Sequence, residues 1–476
     1  MSRPCHSVPL WTSAEAAAAT GGRTHGRWSA TGVSIDSRSV EAGDLFVALA
    51  GPNHDGHDFV QAAFDRAAAA AMVSRQPELQ PEDAPLLLVV DTFEGLRTLA
   101  DQARERSDAH IVAITGSVGK TGTKEMLAGA LASCGVTVAS AGNLNNHIGL
   151  PLSLARLPRG AAYGVLEVGM NHPGEIGPLS RLARPHTALI TTIAAAHTEF
   201  FTSLDAVADA KAEIFEGLEP GGTAVLNRDN IYFDRLAAAA RSAGAGRIIS
   251  FGESPKAEAR LLAWQPAAGG GTVTAEIDGA AFDYEIAFSG RHWALNSIAV
   301  LACVHAAHAP IRLAARALRT VGPGAGRGER LRIPLADGFC EVIDESYNAS
   351  PAAVRAAIET LAETATLAPE GRRIAVLGDM LELGEAAERW HAELAGDLEA
   401  AEIDLVFTAG PLMAHLYAAL DSARRGGHAP DSDGLTGMLR AEFRAGDVVL
   451  VKGSLGSRMG PIVRRLAADA TAAQRS

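Results

Sequence analysis

The sequence predicts an α/β protein of three domains. A central parallel-sheet domain is flanked by a small α/β amino-terminal domain and a Rossmann-like carboxy-terminal domain. Three observations predict this. Short apolar runs alternate with helical stretches along most of the chain, which implies parallel strands joined by crossovers. A glycine-rich loop joins one of these runs to a helix at residues 116–121. A Gly/Pro stretch at 321–326 separates one such alternation from the next. A chain of 476 residues also exceeds what one ordinary core holds. The expected boundaries are 1–107, 108–326 and 327–476.

In the first unit, Val33-Ser34-Ile35-Asp36-Ser37-Arg38 leads to an apolar run at 45–49. A polar loop at 51–57 follows, then an Ala-rich helix, then a Pro- and acid-rich break at 76–85 before a strand at 86–90. The second unit has buried-strand runs at 111–115, 165–168, 188–193, 224–226 and 247–251. Near its end, alternating runs at 272–277 and 282–288 flank Asp278-Gly279, a hairpin signal that predicts a small antiparallel appendage. Runs at 340–343, 374–377, 405–408 and 448–451 make the third unit doubly wound.

Composition narrows the function. Lys plus Arg total 42 against 55 Asp plus Glu, a formal charge of -13, whereas a general nucleic-acid binder carries a basic face. The four cysteines are scattered without a CxxC pair, which points to a reducing compartment rather than a disulfide or zinc framework. The apolar run Val8-Pro9-Leu10-Trp11 is too short for a signal-peptide core, and no 18-residue apolar stretch follows. The expectation is a cytoplasmic protein, monomeric, with no nucleic-acid partner and no membrane insertion.

The sharpest local signal is Thr115-Gly116-Ser117-Val118-Gly119-Lys120-Thr121-Gly122 between an apolar strand and a helix. Glycines there let backbone N–H groups converge on phosphate oxygens, and the helix N-terminus adds the positive end of its dipole. Lys120 would reach the outer phosphates of ATP, and the Thr121 hydroxyl would hold Mg²⁺. The central unit is therefore expected to be a P-loop ATPase domain. The spacing departs from the general pattern, because its first glycine would fall on Ile114.

With Ile at 114, this short loop resembles that of the Mur ligases. Further blocks resemble the MurF-type branch of that family, in the expected order over roughly residues 30–465. They are Gly142-Asn143-Leu144-Asn145-Asn146, Glu167-Val168-Gly169-Met170-Asn171, His197 with Ala210-Lys211-Ala212-Glu213, Asp344-Glu345-Ser346-Tyr347-Asn348-Ala349, Gly378-Asp379-Met380-Leu381-Glu382-Leu383-Gly384 and Val451-Lys452-Gly453-Ser454. The resemblance implies ATP-dependent ligation of D-alanyl-D-alanine to a UDP-N-acetylmuramoyl-tripeptide through an acyl phosphate. The product would be the pentapeptide precursor of bacterial peptidoglycan. It implies a first domain for the UDP end, a central ATPase, and a mobile third domain for the dipeptide.

Glu167 interrupts an apolar strand, where a carboxylate is costly unless bound to metal or ion-paired. The resemblance favours Mg²⁺, with Thr121 and His197 as companions. Lys211 lies on a helix opened by a capping-box pattern at 202–205 and alone would be a solvated lysine. In related ligases the equivalent lysine can be carbamylated and then supports the metal site, so the resemblance makes Lys120, His197 and Lys211 the expected catalytic set. Asn296, one helical turn from His292, is expected near the adenine or in the core. Arg327 is expected at the ATP phosphates and Asp344 among the ATP-binding residues, with a surface arginine as the alternative for Arg327. Ser37, Arg38, Asn143, Asn145, Tyr347, Asn348 and Lys452 complete the set as substrate contacts. The family's Ala-Asn-Pro is Ala349-Ser350-Pro351 here, which keeps an N-cap followed by Pro at the first helical position.

Overall fold

A strand buried on both faces needs helices above and below it, and three sheets of this kind organise residues 8–78, 83–195 and 198–473 of the computed structural model. The first sheet has five strands in the order Arg23–His25, Leu86–Leu88, Ala70–Val73, Asp44–Val47, Gly32–Ser34. All its pairs are parallel except the one made by Arg23–His25. Here the structure corrects the expected Ala-rich helix. The helix is only Val60–Asp65, and Ala70–Val73 is a fully buried strand. Alanine's helix preference is a few tenths of a kcal/mol per residue. Ladder bonds and burial between two parallel neighbours outweigh it.

The central sheet has nine strands, in the order Ala280–Ile286, Gly270–Ile277, Ala259–Ala267, Arg247–Gly252, Thr223–Asn227, Thr187–Ile190, His110–Thr115, Tyr163–Glu167, Thr137–Ala139. The hairpin at Asp278-Gly279 is present, with both residues left-handed at φ 54° and 71°. Its appendage holds one strand more than expected, Ala259–Ala267. That strand is mostly exposed, so its sequence carries no apolar alternation to reveal it. Chain order reverses at His110–Thr115, whose next two strands lie on one side and whose fourth, Thr187–Ile190, lies on the other. Open α/β sheets bind ligands at such a switch point, beyond the carboxyl ends of the strands.

The third sheet runs Glu329–Leu335, Gly338–Glu345, Val448–Lys452, Arg373–Gly378, Leu405–Ala409, Arg425–Ala429, parallel beyond its first hairpin. Its edge strand Arg425-Gly426-Gly427-His428-Ala429 has a composition that sequence patterning does not read as a strand. Ser350 caps helix Pro351–Glu363, accepting from the Ala353 amide, as the sequence predicts. No helix among the described residues is long and apolar enough to cross a membrane.

Candidate active site

The phosphate loop leaves the carboxyl end of strand His110–Thr115 and turns at Gly119, left-handed at φ 83°, into helix Lys120–Ala132. Only glycine takes that turn without strain. Neighbouring backbone braces the loop: Ser117 N–H donates to Thr192 O at 2.9 Å, and the Thr191 hydroxyl donates to Val118 O at 2.6 Å. A Cβ at Gly122 would lie 2.1 Å from the Trp293 ring, so this glycine lets helix Arg291–Ala306 seat against the loop.

A cavity of about 630 Å³ opens above the loop. Central-domain residues supply one wall: Ser117, Val118, Gly119, Lys120, Thr121, Gly122, Asn143, Asn145, Glu167, His292 and Asn296. The third sheet and its loops supply the other, including Arg327, Tyr347, Asn348 and Lys452. These are most of the residues singled out by sequence, now gathered in one cleft.

Lys120 is half-buried, and its ammonium donates to Gly116 O at 2.7 Å. Burial lowers its pKa, Glu167 opposes that, and Arg327 adds to it. Glu167 is 1% exposed. One of its oxygens, Oε1, accepts from Asn145 Nδ2 at 2.8 Å, while Oε2 is buried without a hydrogen-bond partner among the described residues. An orphaned buried carboxylate oxygen is expensive unless a cation completes it. Thr121 lines the same cleft, so the two residues fit a Mg²⁺ site.

Lys211 is 2% exposed. Its pKa lies well below the usual lysine range, first through burial and then through the nearby charge of Lys120. The reading of a solvated lysine is thereby overturned. The helix start also differs from the sequence reading. Ser203 alone caps helix Leu204–Ala212, through the Ala206 amide, because position 206 holds no Glu or Gln to close a capping box. His197 lies outside the described residues.

Arg327 stacks over the Tyr347 ring, 3.8 Å from its centroid, which presents the guanidinium to the cleft. Lys452 donates to Glu345 Oε2 and Asn348 O, each at 3.1 Å. Asp344 does not line the cavity. Its carboxylate accepts from the Gly326 and Ser346 amides, each at 3.1 Å, so it ties the end of the Gly/Pro stretch at 321–326 to the third sheet. Ser37 and Arg38 are likewise outside this cavity. The Arg38 guanidinium is paired with Asp36 at 2.7 Å and is mostly exposed. In the neighbouring loop, Asp55 holds the His57 ring at 2.6 Å and its amide at 2.9 Å, so turn chemistry accounts for that group.

Sequence reasoning passed over Asn227, Phe251, Leu295 and Trp293, all of which line the cleft. Asn227, a polar residue ending the apolar strand Thr223–Asn227, was the available signal. It also passed over Lys124, which is wholly buried.

A phosphate loop at a sheet switch point, facing a second α/β domain across a cleft, defines a nucleotide-dependent two-substrate enzyme. Family models match along the chain: "Mur ligase family, catalytic domain" at 29–104, "Mur ligase middle domain" at 114–304 and "Mur ligase, glutamate ligase domain" at 326–455. The UDP-N-acetylmuramoyl-tripeptide–D-alanyl-D-alanine ligase of Escherichia coli is 36% identical over 92% of this chain and 94% of its own length. The crystal structure of MurF from Acinetobacter baumannii superposes with a TM-score of 0.82 at 28% identity, covering 97% of this chain and all of the other. MurF from Thermotoga maritima, solved with ADP, gives 0.75 at 26% identity over 94% and 98% of the two chains. The chain belongs to the Mur ligase family.

Proposed function

We propose that this chain is the ATP-dependent, ADP-forming ligase that joins D-alanyl-D-alanine to UDP-N-acetylmuramoyl-tripeptide, making the pentapeptide precursor of peptidoglycan. The observation that carries the reading is the shared cleft: one cavity is walled by the phosphate loop on one side and by Tyr347, Asn348 and Lys452 on the other. The near full-length likeness to ligases named for this reaction supports the substrates.

In this reading the loop amides and Lys120 hold the ATP phosphates, with Asn296 and Arg327 beside them. The tripeptide carboxylate attacks the γ-phosphorus, ADP leaves, and an acyl phosphate forms. The amine of D-alanyl-D-alanine then attacks the carbonyl carbon, and phosphate leaves. Lys120 gives up its bond to Gly116 O and follows the charge that develops on the transferring group, since phosphoryl transfer is served mainly by positioning and electrostatics. Thr121 and Glu167, with His197, would hold Mg²⁺, which when bound neutralises phosphate charge. Lys211, whose pKa is lowered by burial and then by the charge of Lys120, is the amine that CO₂ can carbamylate, which turns a repulsive cation into an anion. Asn143, Asn145, Tyr347, Asn348 and Lys452 position the substrates. Ser37 and Arg38 serve the UDP end in the domain 1–107, ahead of 108–326 and 327–476. The enzyme works as a monomer in the cytoplasm.

ADP release with each candidate substrate tests the reading. Turnover should require both UDP-N-acetylmuramoyl-tripeptide and D-alanyl-D-alanine. Full turnover with a single amino acid, with glutamate and a folate, or with no acceptor would refute it.

A further inference from the structure

Lys124 is 0% exposed, on the buried side of the phosphate-loop helix Lys120–Ala132. An ammonium carries three protons and no acceptor. Here Nζ donates to Ser140 O at 2.7 Å and to Gly142 O at 3.0 Å, and pairs with Glu125 Oε1 at 2.7 Å. Two of its protons are committed to backbone carbonyls, and Lys124 does not line the cleft, so it is not a second phosphate lysine. A buried cation is retained at high cost unless something depends on it. Two of its bonds grip one short segment, 140–142, from the side of the helix.

That segment is tied to Glu167 at both ends. At its start, the Ser140 hydroxyl accepts from the Glu167 amide at 3.2 Å. Just past it, Asn145 Nδ2 donates to Glu167 Oε1 at 2.8 Å, and Asn145 O accepts from Gly169 N–H at 2.9 Å. Between these points the chain turns at Gly142, left-handed at φ 54°. The orientation of Glu167, and so the direction in which its free oxygen points, is set by a loop whose other anchor is Lys124.

We infer that Lys124 is a positioning residue for the metal carboxylate: by clamping the Ser140 and Gly142 carbonyls it holds Asn145 against Glu167 and aims Glu167 Oε2 into the cleft. The inference rests on the reading of Glu167 as a metal ligand. Lys124 itself touches neither substrate nor metal.

The test is Mn²⁺ binding to the full chain with ADP present, followed by the electron paramagnetic resonance signal of free Mn²⁺, with unfolding curves to verify folding. Lys124→Met should weaken Mn²⁺ at least tenfold and lower kcat, while KM for D-alanyl-D-alanine stays within twofold. Combined with Asn145→Ala, the two losses should be far from additive, because both act on one carboxylate. Additive losses, or unchanged Mn²⁺ affinity in folded Lys124→Met, would overturn the inference. If Lys124→Met does not fold, Gly142→Ala decides. A Cβ there meets nothing within 4 Å, so it strains only the loop. Threefold weaker Mn²⁺ supports the clamp, and unchanged affinity overturns it. Glu167→Gln separates the two levels of the argument. If Glu167→Gln weakens Mn²⁺ and Lys124→Met does not, only the clamp fails. If Glu167→Gln leaves Mn²⁺ unchanged, the metal reading of Glu167 fails and the clamp fails with it.

Discussion

The two seams of the central domain are built differently. Toward the amino-terminal domain, Leu152 and Ala155 of helix Gly149–Ala155 belong to the same buried apolar cluster as Trp11, Val33, Leu45 and Leu96. Trp11 donates its indole N–H to Ala155 O at 2.9 Å and lies under the Arg106 guanidinium at 3.7 Å. Toward the carboxy-terminal domain, no buried apolar cluster crosses among the described residues. Contact there is made by Trp264 Nε1 donating to Glu363 at 3.3 Å, by Glu199 N–H donating to Glu382 O at 3.3 Å, and by the close approach of Gly290 to Thr360. The rest of that seam is the cleft. An apolar seam is costly to open, whereas a polar, hydrated one opens at little cost. The first joint is therefore the costlier to open and the second the cheaper, which suits a cleft that must admit ATP and two further substrates and then exclude water from an acyl phosphate.

The largest effect should come from the cleft. Lys120→Ala removes the charge that follows the transferring phosphoryl group, so about 4 kcal/mol of barrier, roughly a thousandfold in kcat, should be lost. The unfolding midpoint should stay nearly unchanged. A folded Lys120→Ala protein with normal ADP release would break the assignment of chemistry to this seam.

Lys211 gives the next effect, with opposite signs in two assays. Its pKa is lowered on folding, so the unfolded chain binds the extra proton over the interval between the two values. Stability therefore rises with pH across that interval, and the lysine costs stability at neutral pH. Lys211→Met should raise the melting temperature at pH 7 while lowering turnover on the order of a hundredfold. Acetate added to Lys211→Ala should restore part of the activity by replacing the carbamate's charge. Unimpaired turnover in a folded variant would remove Lys211 from the mechanism.

The apolar seam predicts a stability effect without a catalytic one. Trp11→Ala empties a site only 1% exposed, and should cost about 3 kcal/mol in a denaturant titration. The kcat of the folded fraction should hold within a few-fold. A loss of kcat at full folding would mean that this seam also moves during turnover.

The polar seam predicts the smallest change. Glu363→Ala removes an exposed contact and should alter stability by about 0.5 kcal/mol or less. Because that contact spans the joint, its loss should appear instead as a small rise in KM for D-alanyl-D-alanine. An equal rise in KM for ATP would place the contact outside domain closure.

The sequence by itself determined the phosphate loop, because glycines, a lysine and a threonine between a strand and a helix have one economical use. It also determined the alternation of buried strands and helices, and the hairpin at Asp278-Gly279, since these are periodicities and turn rules of adjacent residues. Ordered motif blocks carried the family. Tertiary structure decided the rest. It made Ala70–Val73 a strand, because position between two ladders outweighs a weak helix preference. It set the Asp344 carboxylate against the Gly326 and Ser346 amides and left one oxygen of Glu167 without a partner among the described residues. It buried Lys124 and Lys211, one among carbonyls and the other beside a second cation. In the sequence both are ordinary helix lysines. Burial and partners are set by elements distant along the chain, and they decide what a charge costs and therefore what it does.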